Sequence, residues 1–117
     1  MRLDNTLPTD HTTVCLQLDF YGPLLTERSR EVLDQYFACD LSLAEIAENL
    51  AISRQAVHDK VRQGTKLLSD YEQQLKLVER HLETQKLIDL VREQLGRHET
   101  DAAARTLDQL ERALLKT

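Results

Sequence analysis

Six residues of the stretch SRQAVHDKVRQGTK have types and spacing that could do chemistry: Ser53, Arg54, Gln55, His58, Arg62 and Lys66. On a 3.6-residue period, Gln55, His58, Asp59, Arg62 and Lys66 fall on one side of a helix, and Val57, Val61 and Leu68 on the other. The chemistry this offers is recognition. Arg54 and Gln55 are placed to reach base edges, and Arg62 and Lys66 to meet phosphates. Ser53 marks a helix N-terminus, whose unpaired N–H groups favour an anion. The same residues also suit an ordinary solvated helix face, so the pattern alone does not assign a partner.

Catalytic chemistry is missing. His11, His58, His81 and His98 lie far apart, and no pair has the i, i+4 spacing of a helical zinc site. The two cysteines, Cys15 and Cys39, form no CxxC motif and have no basic neighbour in sequence, so they read as buried structural thiols. There is no glycine-rich phosphate loop. Carboxylates sit on polar helix faces, where solvation and i, i+4 pairing, as of Glu72 with Lys76, are the default. Phe20, Tyr21, Tyr36 and Phe37 supply four of the five aromatics, and their helical spacing makes them core rather than a base-stacking platform. The expectation is no enzyme, no metal and no cofactor.

The elements that must position the six residues are legible around them. Ser42 and Glu45 form an S-x-x-E capping box, with Leu41 and Ile46 as its hydrophobic staple. Leu43, Ile46, Ala47 and Leu50 give the first helix an apolar face. After a break at Ala51-Ile52, Ser53 caps the second helix, with Ile52 and Val57 as staple. Ala47 is small where two closely approaching axes should cross. Residues 41–68 therefore read as a helix-turn-helix.

Charge restrains the functional reading. The chain has 117 residues and a formal net charge of −5, with a pI near 5.3. A dedicated DNA-binding domain is usually basic, because affinity comes largely from neutralising phosphates. Only residues 53–68 run the other way, with Arg54, Lys60, Arg62 and Lys66 against Asp59. That predicts weak nucleic-acid binding or a protein partner. The cysteine count and the lack of an apolar leader lead us to expect a reduced, cytoplasmic protein. No apolar run approaches the ~20 residues of a membrane span.

In chain order, residues 1–13 read as a flexible lead-in, 14–68 as the helix-turn-helix domain, and 69–117 as a helical tail. Thr12 or Thr13 should cap a first helix bearing Val14, Leu18 and Tyr21, stopped at Gly22-Pro23. Thr26 should open the next, which ends at Cys39 and Asp40. Beyond it, Leu68, Tyr71, Leu75, Val78 and Leu82 keep a 3-4-3-4 seam. Leu87, Val91 and Leu95 form a second stripe out of phase with the first, which predicts a bend in residues 83–86. Gly96 suits the position just past a helix end, and Thr100 can cap a last helix with Ala103, Leu107, Leu110 and Leu114. The tail should pack on the head or on a second copy, with a slight preference for a homodimer. The fold expected is all-α, about six helices: a helix-turn-helix head and a long helical tail.

Phe20-Tyr21 followed by Leu24-Leu25-Thr26, then SLAEIAE (residues 42–48), SRQAVHD (53–59) and LSDYEQQLKL (68–77), resemble the YlxM-like proteins of Gram-positive bacteria. The resemblance covers residues 14–95. It implies a helix-turn-helix similar to sigma region 4 and a modulator of the signal recognition particle pathway, since YlxM genes neighbour those of the particle's GTPase and its receptor. The implied partner is the particle's RNA or its GTPase, with duplex DNA as the alternative. Three positions depart from the family pattern: Gly22-Pro23 in the first helix, Ala51 where a turn glycine is favoured, and His58 in place of a tyrosine.

Overall fold

The computed structural model describes residues 10–115. They form six α-helices with no strand among the described residues. They divide into two compact units, one up to Leu75 and one from Lys76 on.

In the first unit, α1 (His11–Tyr21) is capped by Asp10 rather than by a threonine: Asp10 accepts from the Thr13 N–H at 3.2 Å and the Thr13 hydroxyl at 2.5 Å. Those bonds, the hydroxyl's first, hold the Asp10 carboxyl below its ordinary value. A carboxylate accepts from both donors at once, which a threonine hydroxyl at the cap does not match. Val14, Leu18 and Tyr21, at i, i+4 and i+7, are buried. The helix stops where a 3₁₀ turn, Gly22–Leu24, carries Pro23 in its first positions. Thr26 then caps α2 (Glu27–Leu33) through the Ser29 N–H at 3.2 Å.

The chain does not leave α2 directly. It continues as a π-helical turn over Asp34–Ala38, closed by the Cys39 N–H on the Asp34 carbonyl at 3.0 Å. The wider turn carries Phe37 into the core, where it meets Tyr36 edge-on and the His11 ring.

Helix α3 (Leu43–Leu50) opens with the complete capping box: Ser42 Oγ accepts from the Glu45 N–H, and Glu45 accepts from the Ser42 N–H. Glu45 is held below its usual carboxylate range by that backbone bond first and the hydroxyl contact second. The helix ends at Ala51, which adopts the left-handed region (φ 57°, ψ 43°) while Ile52 N–H bonds back to the Ala47 carbonyl. This closure is ordinarily made with glycine. Alanine there costs about 1–2 kcal/mol of steric strain, partly offset because glycine loses more chain entropy, by about 0.5–1 kcal/mol. Ala51→Gly is therefore expected to raise stability by up to about 1 kcal/mol, seen as a higher urea midpoint at unchanged slope. A lower midpoint would refute the strain at this turn.

Helix α4 (Arg54–Leu75) is the axis of this unit. Its stripe Val57, Val61, Gly64 and Leu68, at i, i+4, i+7 and i+11, is buried, and the helix packs on α1, α2 and α3. Gly64 lies against Leu33 so closely that a Cβ built there would stand 2.7 Å from Leu33 Cδ1. Gly64 thus lets α2 approach α4 closely, while Ala47 on α3 is half-buried. Near the far end of α4, the buried Tyr21 donates its hydroxyl to Glu72 Oε1 at 2.5 Å, and its ring lies 5.9 Å from that of Tyr71.

The helical run breaks at Lys76, in the left-handed region (φ 55°, ψ 33°), not in residues 83–86. The second unit's α5 (Leu77–Gly96) passes through 83–86 without interruption, as the helix-forming Glu83, Gln85 and Lys86 favour. The 3-4-3-4 spacing crosses Lys76 in register, and the slip between Leu82 and Leu87 falls within continuous helix. The expected seam is cut there, leaving Leu75 and Leu82 about half exposed. Gly96 closes α5 from within, and the left-handed residue that follows is His98. Helix α6 (Thr100–Leu115) starts at Thr100 itself, with the Ala103 N–H on the Glu99 carbonyl. It packs on α5 through Ala103 and Thr106, whose hydroxyl donates to Gln94 Oε1 at 2.8 Å. Leu107 and Leu114 remain about half exposed. No helix of the described residues is long and apolar enough to cross a membrane.

Candidate functional site

The outward side of α4 follows from its buried side. Successive helical residues turn by about 100°, so the side opposite Val57, Val61, Gly64 and Leu68 carries a ridge of Gln55, Asp59, Arg62 and Lys66, at i, i+4, i+7 and i+11. Gln55, Arg62 and Lys66 are exposed. Arg54 is exposed at the helix start, and His58 sits on the flank of the ridge, half-buried. Ser53 uses its hydroxyl to accept the Ala56 N–H at 2.9 Å, so its part is to fix the helix start. Of the six residues picked out by type and spacing, three share the ridge and three border it.

Hydrogen bonds along the ridge temper its charge. Gln55 Nε2 donates to Asp59 Oδ1 at 3.0 Å, and His58 Nδ1 lies 3.6 Å from the same oxygen. Lys66 Nζ pairs with Asp70 Oδ2 at 3.2 Å. Asp70 lies just past the stretch counted as basic from sequence, and its i, i+4 spacing from Lys66 was the available signal for it. Arg54, Lys60 and Arg62 make no ion pair among the described residues. The face therefore offers two exposed guanidinium groups, a carboxylate in the middle, and a lysine whose charge is shared within the helix.

The turn that leads into α4 is supported from outside the hairpin. Arg28, on α2, reaches the Leu50 carbonyl at 3.5 Å and lies 3.9 Å from Glu31. Nothing in the spacing of α2 marks Arg28 as part of this corner; the contact exists only once α2 and α3 are packed.

Among the described residues no three histidine, cysteine or acidic side chains could hold a metal ion. Both cysteines are free, and the thiols are not equivalent. Cys15 is half-buried and donates to the Phe37 carbonyl at 3.5 Å, and burial first, then Asp19 and Asp34, pushes its thiol above its ordinary value. Cys39, expected to be buried, is exposed, because the π-helical turn ends at it and directs the chain outwards. What the ridge can do is donate and accept hydrogen bonds and attract anions.

Residues 10–108 match the family UPF0122, described as "Putative helix-turn-helix protein, YlxM / p13 like". A UPF0122 protein of Symbiobacterium thermophilum is 45% identical over 101 residues, covering 86% of this chain and 94% of its own. One from Shouchella clausii is 36% identical over 111 residues, covering 94% and 97%. A third, from Clostridium kluyveri, reaches 56% identity over 62 residues, covering 53% and 56%.

Proposed function

Since this chain belongs to the UPF0122 family of YlxM / p13-like helix-turn-helix proteins, we propose that it is a non-enzymatic, cytoplasmic regulatory protein of the signal recognition particle pathway. It acts by contact, laying the outward ridge of α4 on the particle's RNA or its GTPase. The observation that carries this reading is the division of α4. One side is wholly committed to packing, and the other holds Gln55, Arg62 and Lys66 exposed on a helix with a fixed start. The choice of the particle among possible targets rests on the family resemblance of the sequence.

Duplex DNA is the second reading, and the shape of the site favours it. A helix presented by a helix-turn-helix fits the roughly 12 Å wide major groove of B-DNA, while the major groove of A-form RNA is too narrow for side chains to read. On this reading the protein is a transcription regulator with a head related to sigma region 4, and Arg54 and Gln55 meet base edges. In either case the half-exposed Leu107 and Leu114 of α6 support pairing of the second unit with another copy, as a homodimer.

The test measures binding of the full chain to three fluorescent probes at low salt: particle RNA, the particle's GTPase, and random-sequence duplex DNA. Binding to the RNA or the GTPase above binding to DNA is the expected result; preference for DNA moves the function to the second reading. Affinity for nucleic acid should fall only shallowly with salt, with a log–log slope no steeper than about −3, because Arg54, Arg62 and the ion-paired Lys66 release few counterions. Failure to bind all three would sink the proposal.

A further inference from the structure

Asp59 sits where a phosphate-binding face should least tolerate it. It lies midway in sequence between Val57 and Val61, both fully buried, which on a helix places it diametrically outward. Its side chain is 44% exposed. Arg54, Lys60, Arg62 and Lys66 surround it in sequence. A carboxylate there repels every phosphate that the cations attract.

Its geometry suggests what the charge is for. The Gln55 amide donates to Oδ1 at 3.0 Å, and the His58 ring lies 3.6 Å from the same oxygen, beyond hydrogen-bond distance. Among the described residues Oδ2 accepts no hydrogen bond. The Gln55 hydrogen bond steadies the carboxylate through Oδ1 and leaves the other oxygen to accept. We propose that Asp59 is a specificity-determining residue of this face, and that it accepts from the exocyclic amino group of a cytosine in the target nucleic acid. The proposal rests on the nucleic-acid reading above.

Base chemistry narrows the choice to cytosine. Guanine and thymine present acceptors at the corresponding edge, and these repel a carboxylate. Adenine has an amino group, but its N7 acceptor lies beside it and faces the same lone pairs. Cytosine offers its N4 amino group with only a C–H alongside. The amino group can be supplied by the major groove of DNA or by an unpaired base of RNA.

The experiment selects binders from two randomised pools, duplex DNA and an RNA hairpin loop, with the full-length protein and its Asp59→Asn and Asp59→Ala variants. The wild type should enrich cytosine at one position by roughly tenfold over the other bases. Asp59→Asn should switch that position to adenine, because an asparagine amide matches N6 and N7 together. Asp59→Ala should lose the preference at that position, by binding sequences without the cytosine more tightly relative to those that carry it. The pool that yields the cytosine signal identifies the source of the amino group. Both variants change an exposed side chain, and unchanged melting curves would confirm that the fold is intact. Binding without a cytosine preference, or a preference that survives in both variants, overturns the role of Asp59 while leaving the nucleic-acid reading standing. Binding to neither pool overturns both.

Discussion

Gly64→Ala is expected to lower the stability of the protein by about 1–2 kcal/mol, although alanine is the better helix former. In an exposed helix the same change would stabilise by about 1 kcal/mol. Here the new Cβ would meet Leu33 Cδ1 at 2.7 Å, with Cγ and Cδ2 at 3.2 Å and 3.3 Å. Leu33 is fully buried, so its side chain has no solvent to swing into. Overpacking of this kind typically costs about 1–3 kcal/mol, which outweighs the gain in helix propensity. Urea unfolding of Gly64→Ala, Leu33→Val and the double variant measures it. The double variant should lose less than the two single losses combined, because trimming Leu33 makes room for the methyl group. A single variant as stable as the wild type, or more so, would show that α2 and α4 do not meet as described.

The second large effect concerns binding. Arg62→Glu should weaken nucleic-acid binding at least about tenfold at low salt, and should do so for all sequences alike. Arg62 lies on the ridge between Asp59 and Lys66, and makes no ion pair among the described residues. Reversal leaves the ridge with acidic groups at Asp59, at position 62 and at Asp70, against Lys66. Lys66→Ala should cost less, since Asp70 already takes up part of that charge at 3.2 Å. Because both residues are exposed, thermal stability should stay within a few tenths of a kcal/mol. Fluorescence anisotropy across a salt series reads both the loss and the reduced slope. Equal affinity of the wild type and Arg62→Glu would remove this face from consideration.

The parts of the fold that were legible in the sequence are those whose signals are local. A serine three residues before a glutamate is a capping box before anything packs, and Ser42 and Glu45 form one. Ser53 and Thr26 mark helix starts for the same reason. Gly22-Pro23 ends α1 because proline lacks a donor. The parts that were not legible depend on a partner distant in sequence or on the absence of any local preference. Gly64 reads as a mere weakness of a helix until Leu33 is laid against it. The residues of the π-helical turn, Asp34–Ala38, carry no mark of their unusual hydrogen bonding. Lys76 is a good helix former that adopts a left-handed conformation, so the leucine spacing runs straight across it and hides the break. The site divides along the same line. Its outward direction followed from the apolar period and the pairing of Lys66 with Asp70 from i, i+4 spacing, while the support of its leading turn by Arg28 emerged only from packing.

The hydrogen bond from the buried Tyr21 to Glu72 has a consequence for recognition. It ties α1 to the last turns of α4, while Leu33 presses on Gly64 near the middle and Ser53 fixes the start. Held by α1 and α2 at two points along its length, and with its first turn capped, α4 is resistant to tilting or reshaping to suit a partner. Its free and bound conformations should coincide, with rearrangement confined to exposed side chains such as Arg54 and Arg62. A helix already ordered loses little conformational entropy on contact, which lets a small, nearly neutral surface retain useful affinity. The target must then present matching groups, because this helix will not adjust to find them.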